Sequence, residues 1–590
     1  MAAKVEGQAF GARLALGGAP QQPTRNRSWL INFRRVQPLP LVLMIVVAVA
    51  TLVPLIYLVV NSFNVASPTS YKFTFGFGNW TSAYADGDTV RSIWTTVWLT
   101  LVRSGIAIPV GVLISWLIAR TNMPGGTLVE LGMWIAFSLP VLSLTLGWIL
   151  LLDPKVGLVN EALAGLPFNH GLVLDIYSYW GIIWIHLFSR AIPILVILMT
   201  PAFRRVGARL EEVSRMCGAS KFKTLVRVTA PVLLPTIAPL AILSIIGGLQ
   251  SIDIELVVGI PARIFVFGTR IYDLLQQAPP EYGAATALGG SVLVVLLAMA
   301  LLSNRIIRSR EFTTVGADFS VAKVDLGRFR WVCFGACAVF LFIGVVIPTV
   351  SAILGSVMRR FGFFDLPHPF TTQHWSDVFG DPLFLASLRN SIALSVGSAV
   401  LAMVLYALVA HAALRSRGLP NRALDLLAWI PWGVPGILLS LALLWLFIST
   451  PLHVVLYGTL FGMMLAFVIS SMPAGTQLAK AALIQIGHEL EDASRMCGAS
   501  GSRTAVQVLL PLMSPMLFNI GVLVFIGALS EFSQILLIYA PNSRPLSIMT
   551  LEYIFNGDLE RAAVLGVFMT AIVSCLALGA RWVGLKLGPR

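Results

Sequence analysis

Twelve long apolar stretches constrain this 590-residue chain more than any other feature of its sequence. Each has about 18 residues or more, the length that a helix needs to cross roughly 30 Å of hydrocarbon. Charged residues make up only 12% of the chain, against about a quarter in soluble proteins. We therefore predict an all-α integral membrane protein. The stretches lie near residues 40–62, 92–119, 128–152, 178–200, 232–250, 283–303, 331–357, 384–413, 423–449, 454–471, 512–530 and 560–580.

A ten-residue sequence occurs twice in the chain. EEVSRMCGAS at Glu211–Ser220 returns as EDASRMCGAS at Glu491–Ser500, 280 residues later, and the match continues with Pro231 and Pro511. Each copy holds six apolar stretches, and an even number gives both copies the same orientation in the membrane. The sequence therefore predicts two parallel six-helix repeats. The predicted order is a disordered cytoplasmic tail (1–38), the first repeat (39–303), a cytoplasmic linker (304–330) and the second repeat (331–590).

The net charge of +14 follows the predicted topology. Most lysines and arginines fall in segments that lie on one side of the membrane if the N-terminus is inside, as the positive-inside rule expects. Both termini are then cytoplasmic, and the basic residues face anionic lipid headgroups. Nucleic acid is not an expected partner, because no surface module combining aromatic and basic residues accompanies the charge.

Residues that could carry out catalysis or hold a metal are scattered. The seven histidines form no i, i+4 pair, and the chain shows no nucleophile triad. Cys333 and Cys337 lie one helical turn apart, which suits either a soft metal or a plain helix contact, and we assign no metal to them. No lysine follows a glycine, so a phosphate-binding G-x(4)-G-K-[ST] loop is absent. We therefore predict a chain that is not an enzyme and holds no cofactor of its own.

The repeated ten residues predict a rigid projection from the membrane. Pro201–Met216 is expected to form a helix that Gly218 ends by taking a positive φ. Ser220 can then cap a short helix running to Thr229, which Pro231 stops. The second copy repeats the pattern at Gly498, Ser500 and Pro511. Two equivalent projections suit docking to a soluble partner with two equivalent subunits.

This cassette, E-(E/D)-x-S-R-M-C-G-A-S followed by T-x(6)-P-x(3)-P, resembles the EAA cassette of binding-protein-dependent ABC transporter permeases. Two copies in one chain resemble the fused permeases of the ferric-iron and thiamine import branch. The resemblance implies a type I, MetI-like permease of a bacterial inner membrane, with two ATPase subunits that carry ATP and Mg²⁺ and a periplasmic solute-binding protein as partners. The ATPase-coupling residues that it implies are Glu211, Glu212, Gly218, Ala219, Ser220, Thr224, Glu491, Asp492, Gly498, Ala499, Ser500 and Thr504.

Ionisable residues in or beside the apolar stretches are candidates for the substrate path. Asp253 and Glu255 follow the fifth stretch, and Glu531 follows the eleventh. If they face each other across the pseudo-two-fold axis, these carboxylates would attract a cation such as ferric iron; alternatively, they lie in water at the outer headgroup boundary. Arg103 either binds an anion or neutralises a carboxylate. Arg190 is a further candidate.

Two further features of the sequence each allow two interpretations. Pro140 and Pro435 either break equivalent helices beside a cavity or only kink them. The first copy has extra residues at Asp153–Gly171 on the predicted outer face, which are either a tolerated loop or a contact for an external partner.

We predict the permease subunit of an ATP-driven importer that moves ferric iron by alternating access. The same machinery could carry thiamine, 2-aminoethylphosphonate or a polyamine. An ion-coupled secondary transporter is the alternative class.

Overall fold

The computed structural model describes residues 38–66, 73–165, 171–205, 213–214, 216–224, 227–228, 230–309, 323–415 and 419–587. Within these ranges the chain is helical, and its only extended pairings are three isolated β-bridges. The predicted tail, residues 1–38, lies outside them except for Pro38, which begins the first helix.

Eight main helices form each copy, and we number them so that the helices of the second copy follow those of the first by eight. The first copy contains α1 (Pro38–Ser62), α2 (Gly87–Arg120), α3 (Gly126–Ser138), α4 (Val141–Leu152), α5 (Tyr179–Arg204), α6 (Ala230–Leu249), α7 (Phe267–Gln276) and α8 (Tyr282–Ser309). The second contains α9 (Phe329–Ser356), α10 (Pro382–Arg415), α11 (Leu419–Trp429), α12 (Gly436–Ile448), α13 (Leu460–Ile486), α14 (Leu510–Ser530), α15 (Leu546–Phe555) and α16 (Leu559–Leu587).

Capping side chains set where several long helices begin. The Asp86 carboxylate accepts a hydrogen bond from the Asp88 amide at the start of α2, 3.0 Å away. Ser178 caps α5 through the Gly181 amide (3.1 Å), and Thr459 caps α13 through the Gly462 amide (3.2 Å). Each cap satisfies an amide that has no partner within its own helix.

The predicted all-α membrane architecture with two repeats is confirmed, but two of the predicted spans are not straight. Nine helices within the described residues are long and apolar enough to cross a membrane. The stretches near 128–152 and 423–449 are instead bent pairs, α3 with α4 and α11 with α12, at angles of 97° and 110°. The stretch near 232–250 corresponds to α6, and that near 454–471 to the later and longer α13.

Prolines mark both bends. Pro140 and Pro435 occupy the N-cap positions of α4 and α12, where a proline ends the preceding helix because it lacks an amide and crowds the previous turn. They therefore break the helices rather than kink them. Eleven of the twelve residues of α4 and nine of the thirteen of α12 are buried, and burial inside protein is what permits an irregular backbone at membrane depth.

The first helix of each copy packs on the bent pair of the other copy. α1 lies against α11 and α12, whereas the second part of α9 lies against α4. At that crossing the backbone carbonyl of Pro348 sits where a Cβ on Gly147 would be. The largest hydrophobic core accordingly draws residues from both copies. The two halves are therefore interlocked rather than merely adjacent.

Both ends of the predicted linker, residues 304–330, contain described structure. α8 continues to Ser309, and residues 310–322 lie outside the described residues. Val324 then forms a bridge with Thr121, and the Asn122 side chain donates to Asp325 at 2.6 Å. The end of the linker is thus attached to the loop that follows α2.

The extra outer segment of the first copy is partly described. It contains a short helix, Leu158–Ala164, and Asn160 bonds to the backbone of Leu174 in both directions at 2.8 Å. Val156 lies directly beside Gly362 of the second copy. This part of the insertion therefore makes a contact within the chain.

Candidate functional site

The cassette of the second copy is a sharp turn between two helices. The helix Glu489–Met496 ends at Gly498, whose φ is +81°. The Gly498 amide donates to the Arg495 carbonyl (2.9 Å), and the Ala499 amide donates to the Ser494 carbonyl (3.1 Å). This bonding pattern is a Schellman motif, which needs a left-handed residue at the position of Gly498.

Side chains hold the second arm of the turn. Ser500 accepts a bond from the Arg503 amide (3.3 Å) and so caps the helix Gly501–Thr504. Thr504 is buried, and its hydroxyl bonds to that of Ser494 across the turn at 2.9 Å. The angle between the two arms is therefore fixed by hydrogen bonds on both sides of the glycine.

The first cassette has the same construction. Gly218 has a φ of +82°, and the Ala219 amide donates to the Ser214 carbonyl at 3.1 Å. The Ser214 and Thr224 hydroxyls are 3.0 Å apart, and Ser220 accepts from the Lys223 amide at 3.2 Å. Predicted coupling residues Glu211 and Glu212 lie outside the described residues.

Each cassette exposes a methionine that the sequence analysis did not single out. Met216 is 86% exposed and Met496 is 90% exposed, although methionine is usually buried. Nothing lies within 4 Å of the place where a Cβ would stand on Gly218 or Gly498. The sequence did contain a signal for these methionines, because they occupy equivalent positions in a repeat that is almost identical. The outer side of each turn is thus open and partly apolar.

Glu491, predicted to contact a partner, lies inside the protein. It is 3% exposed, and its carboxylate pairs with the guanidinium of Arg415 at the end of α10, with Nε and Oε1 2.6 Å apart. Arg415 also donates to the Gly487 carbonyl at 2.8 Å. Asp492, by contrast, is exposed. Glu491 therefore anchors the cassette to the membrane domain, whereas Asp492 faces outward.

Two expectations about the second cassette were wrong. Pro511 does not end the short helix: it lies in the first turn of α14, which a π-helical turn, Ala505–Leu509, joins to Gly501–Thr504. The helix is continuous through this point, since the Leu510 amide donates to the Ala505 carbonyl in the π-helical turn. Pro231 occupies the same place in α6. In the second copy Gly487, with a φ of 72°, also interrupts the helix before the cassette.

A charged cluster brings together the candidate substrate-path residues. Glu255 is buried, and its Oε1 lies 2.9 Å from His186 Nε2. Ser251 donates to both Glu255 oxygens at 2.8 and 2.7 Å. Arg103 adds a positive charge that acts on Glu255 and His186. The expectation that the acids lie in headgroup water is therefore wrong for Glu255.

The remaining acids meet where the two copies touch. Arg190, on the π-helical turn of α5, donates to Glu531 Oε1 at 2.9 Å, and Gln534 donates to its Oε2 at 2.9 Å. Asp253 lies within the electrostatic reach of Arg190 and Glu531, and its buried Oδ1 has no hydrogen-bond partner among the described residues.

The bend of the second copy takes part in this junction. Gln250 donates to the backbone carbonyl of Trp432 at 2.7 Å, and Trp432 lies in the break between α11 and α12. A broken helix thus offers a carbonyl to the other copy. Sequence reasoning missed His186 and Gln250 because their partners, Glu255 and Trp432, are distant in sequence. It also missed Ser251, although Glu255 lies only four residues further along the chain.

Two of the three carboxylates in this cluster already bind other side chains. Glu255 is bound by His186 and Ser251, and Glu531 by Arg190 and Gln534. In the part of the chain that the structure describes, no group of three or more His, Cys, Asp or Glu side chains is placed to hold a metal ion. Of the three acids predicted to face each other across the copies, only Asp253 and Glu531 do so, and Arg190 lies beside both.

An all-helical duplicated membrane domain with one matching cassette per copy defines a membrane permease. Residues 107–311 and 402–590, together more than half of the chain, match the family described as "Binding-protein-dependent transport system inner membrane component". The chain belongs to this family and carries its domain twice. It is a multi-pass permease subunit of an ABC importer of the inner-membrane type.

Named relatives cover much of the chain. It is 27% identical over 506 residues to the probable ABC transporter permease protein y4fN of Sinorhizobium fredii (strain NBRC 101917 / NGR234), covering 82% of this chain and 85% of that one. It is 23% identical over 417 residues to the ferric transport system permease protein FbpB of Actinobacillus pleuropneumoniae, covering 69% and 59% respectively.

Other similarities are shorter. The molybdenum transport system permease protein ModB of Escherichia coli (strain K12) is 25% identical over 225 residues, which are 36% of this chain and 90% of that one. A solved bacterial ABC transporter involved in the import of the acidic polysaccharide alginate gives a TM-score of 0.39 at 21% identity, covering 45% of this chain and 93% of that one.

Proposed function

We propose that this permease imports ferric iron, and that two ATPase subunits dock on its two cassettes and drive the transport. The carrying observation is the duplicated turn: Gly218 and Gly498 have φ values of +82° and +81° and are followed by the same hydrogen bonds. Two copies of one rigid surface suit a partner that is itself a pair of like subunits.

The cassettes have what a coupling surface requires. Each turn is stiffened by a serine–threonine hydrogen bond, so force on the turn is passed on rather than absorbed. Each presents an exposed methionine, and methionine adapts its shape to a partner surface. ATP and Mg²⁺ belong to the ATPase partners in this proposal, and an external binding protein delivers the cargo to the opposite face. Transport then proceeds by alternating access of the two halves.

Iron as cargo is supported by two observations. Relatives named as ferric transport permeases align over 69% and 62% of the chain. Two carboxylates, those of Asp253 and Glu531, face each other at the junction of the copies, and Asp253 keeps a buried oxygen that has no hydrogen-bond partner among the described residues. Hard oxygen ligands suit a hard cation.

An oxyanion is the second candidate cargo. Relatives named for molybdenum and sulfate transport also align, over 36% and 32% of the chain. Arg103 and Arg190 lie in the same cluster as the acids.

The test is uptake by proteoliposomes that contain the chain, its ATPase subunits and its binding protein. Radioactive ferric iron should accumulate only with ATP inside the compartment that holds the ATPases, and vanadate should stop it. Accumulation without any ATPase subunit would refute the ATP-driven mechanism in favour of a secondary transporter. ATP-driven uptake of molybdate or sulfate without uptake of iron would refute the cargo alone.

A further inference from the structure

We propose that Arg103 is an anion-binding residue of the substrate path, which recognises its cargo through a negatively charged oxygen. That oxygen would belong either to the carboxylate of a ferric chelate or to a free oxyanion. The inference rests on the proposed function for the direction of transport and narrows the chemistry of the cargo.

The Arg103 side chain is buried and unpaired. The residue is 7% exposed on α2, and among the described residues it makes no hydrogen bond and has no carboxylate within 4.0 Å. Glu255 acts on it only through the electric field, since His186 and Ser251 already occupy the Glu255 oxygens. Largely withdrawing a guanidinium from water without giving it hydrogen-bond partners is costly. None of the Arg103 nitrogens is among the fully enclosed side-chain atoms without a partner, so they keep a small contact with solvent, through which a ligand bearing an anionic oxygen could reach them and relieve this cost.

Comparison of the two copies shows that the fold makes room for this arginine. A Cβ on Gly248 of α6 would overlap Arg103 Nη2. In the second copy the equivalent positions hold Ser398 and Ala528: where the arginine is replaced by a small residue, the glycine is replaced as well. Glycine lowers helix stability by about 1 kcal/mol relative to alanine. The first copy thus accepts a weaker helix and holds a cation that forms no hydrogen bond or ion pair with the described residues.

The chemistry of the neighbouring groups favours an anion over a cation at this position. Arginine offers five donors in a planar fork that fits a carboxylate or oxyanion with two parallel bonds. Arg190 also has a buried Nε without a hydrogen-bond partner among the described residues. The free capacity on the two arginines is therefore donor capacity, and what satisfies it must be an acceptor.

The experiment uses the full chain in lipid nanodiscs, with citrate, ferric citrate, sulfate and molybdate as probes. Binding is followed by the shift in thermal stability with ligand concentration. We expect the wild type to respond to at least one probe. The variant Arg103→Ser/Gly248→Ala, which copies the packing of the second repeat and so should fold, should bind about tenfold or more weakly, as the loss of a charge-assisted bond predicts. Arg103→Lys should keep part of the affinity.

Arg91→Ser is the matched control, because Arg91 lies on the same helix but is exposed; it should leave the affinity unchanged. Equal binding by the wild type and the double variant would overturn the inference, as would a wild type that responds to no probe. A response to sulfate or molybdate but not to ferric citrate would support the anion site and count against iron. ATP-driven iron uptake that is unchanged in the double variant would support iron as the cargo and count against the anion site.

Discussion

At the scale of single residues, the two cassette glycines are needed for their backbone conformation rather than for space. Gly498 has a positive φ and nothing within 4 Å of its missing Cβ. Gly498→Val should therefore strain the turn by about 1–3 kcal/mol, and we expect transport per ATP hydrolysed to fall about tenfold while membrane insertion persists. The measurement is the ratio of uptake to phosphate release in the assembled complex.

Gly498→Asn separates conformation from bulk. Asparagine fills the same open space but tolerates the left-handed region, so it should retain most of the coupling. Gly501→Ala is the control within the same cassette, since Gly501 is also open but lies in a helix. If the valine variant coupled as well as the asparagine variant, the turn would not be the rigid element proposed.

Sequence reasoning worked for the turn because all of its determinants are local. The glycine, the capping serine and the helix before them lie within about a dozen residues, and the positive φ followed from residue type. It did not predict the burial of Glu491, because the residue that pairs with this acid, Arg415, comes from another helix. The sequence shows that both charged residues are present, but it does not show whether they form an ion pair.

At the scale of helices, the crossing of α4 and α9 depends on a missing side chain. The carbonyl of Pro348 occupies the Cβ position of Gly147, so Gly147→Ala must push the two helices apart. Overpacking of this kind costs about 1–3 kcal/mol. We expect a lower midpoint of thermal unfolding for the purified chain.

Gly105→Ala is the matched comparison for that substitution. Gly105 also lies inside a long helix, but nothing is within 4 Å of its Cβ position. Because alanine is the better helix former, this variant should be as stable as the wild type or slightly more so. A Gly147→Ala protein as stable as Gly105→Ala would show that the helices do not cross as described.

The same scale shows what hydropathy alone misses. Residues 128–152 and 423–449 are as apolar as a straight span, and the sequence predicted a membrane span in each place that is either broken or only kinked at Pro140 and Pro435. The structure bends them by 97° and 110°, and helices of both copies pack around them. Pro140 and Pro435 marked the places of the bends, but the local sequence does not give the bend angles or the distant helices that pack there.

At the scale of the whole molecule, one ion pair joins the halves within the charged cluster. Arg190→Glu would place a third carboxylate beside Glu531 and Asp253, so the halves should repel and uptake should fall about tenfold or more. Adding Glu531→Arg should restore much of the uptake, because opposite charges again face each other across the junction. Uptake and thermal stability of both variants are the measurements.

Arg204→Glu provides the comparison, since Arg204 lies on the same helix but pairs with Glu130 of its own half at 2.6 Å. It should affect uptake less than Arg190→Glu. Failure of the double charge exchange to improve on Arg190→Glu would mean that the residues act separately. The sequence predicted the duplication and nominated both residues, but only the arrangement of the halves shows that they pair.

The exchange of first helices between the copies also imposes an order of assembly. α1 is synthesised first, yet the helices that cover it, α11 and α12, begin almost four hundred residues later. Until α10, α11 and α12 have been synthesised, α1 can contact only lipid and its own copy, where it packs on α8. The first half by itself therefore lacks the helices that cover α1 in the complete chain.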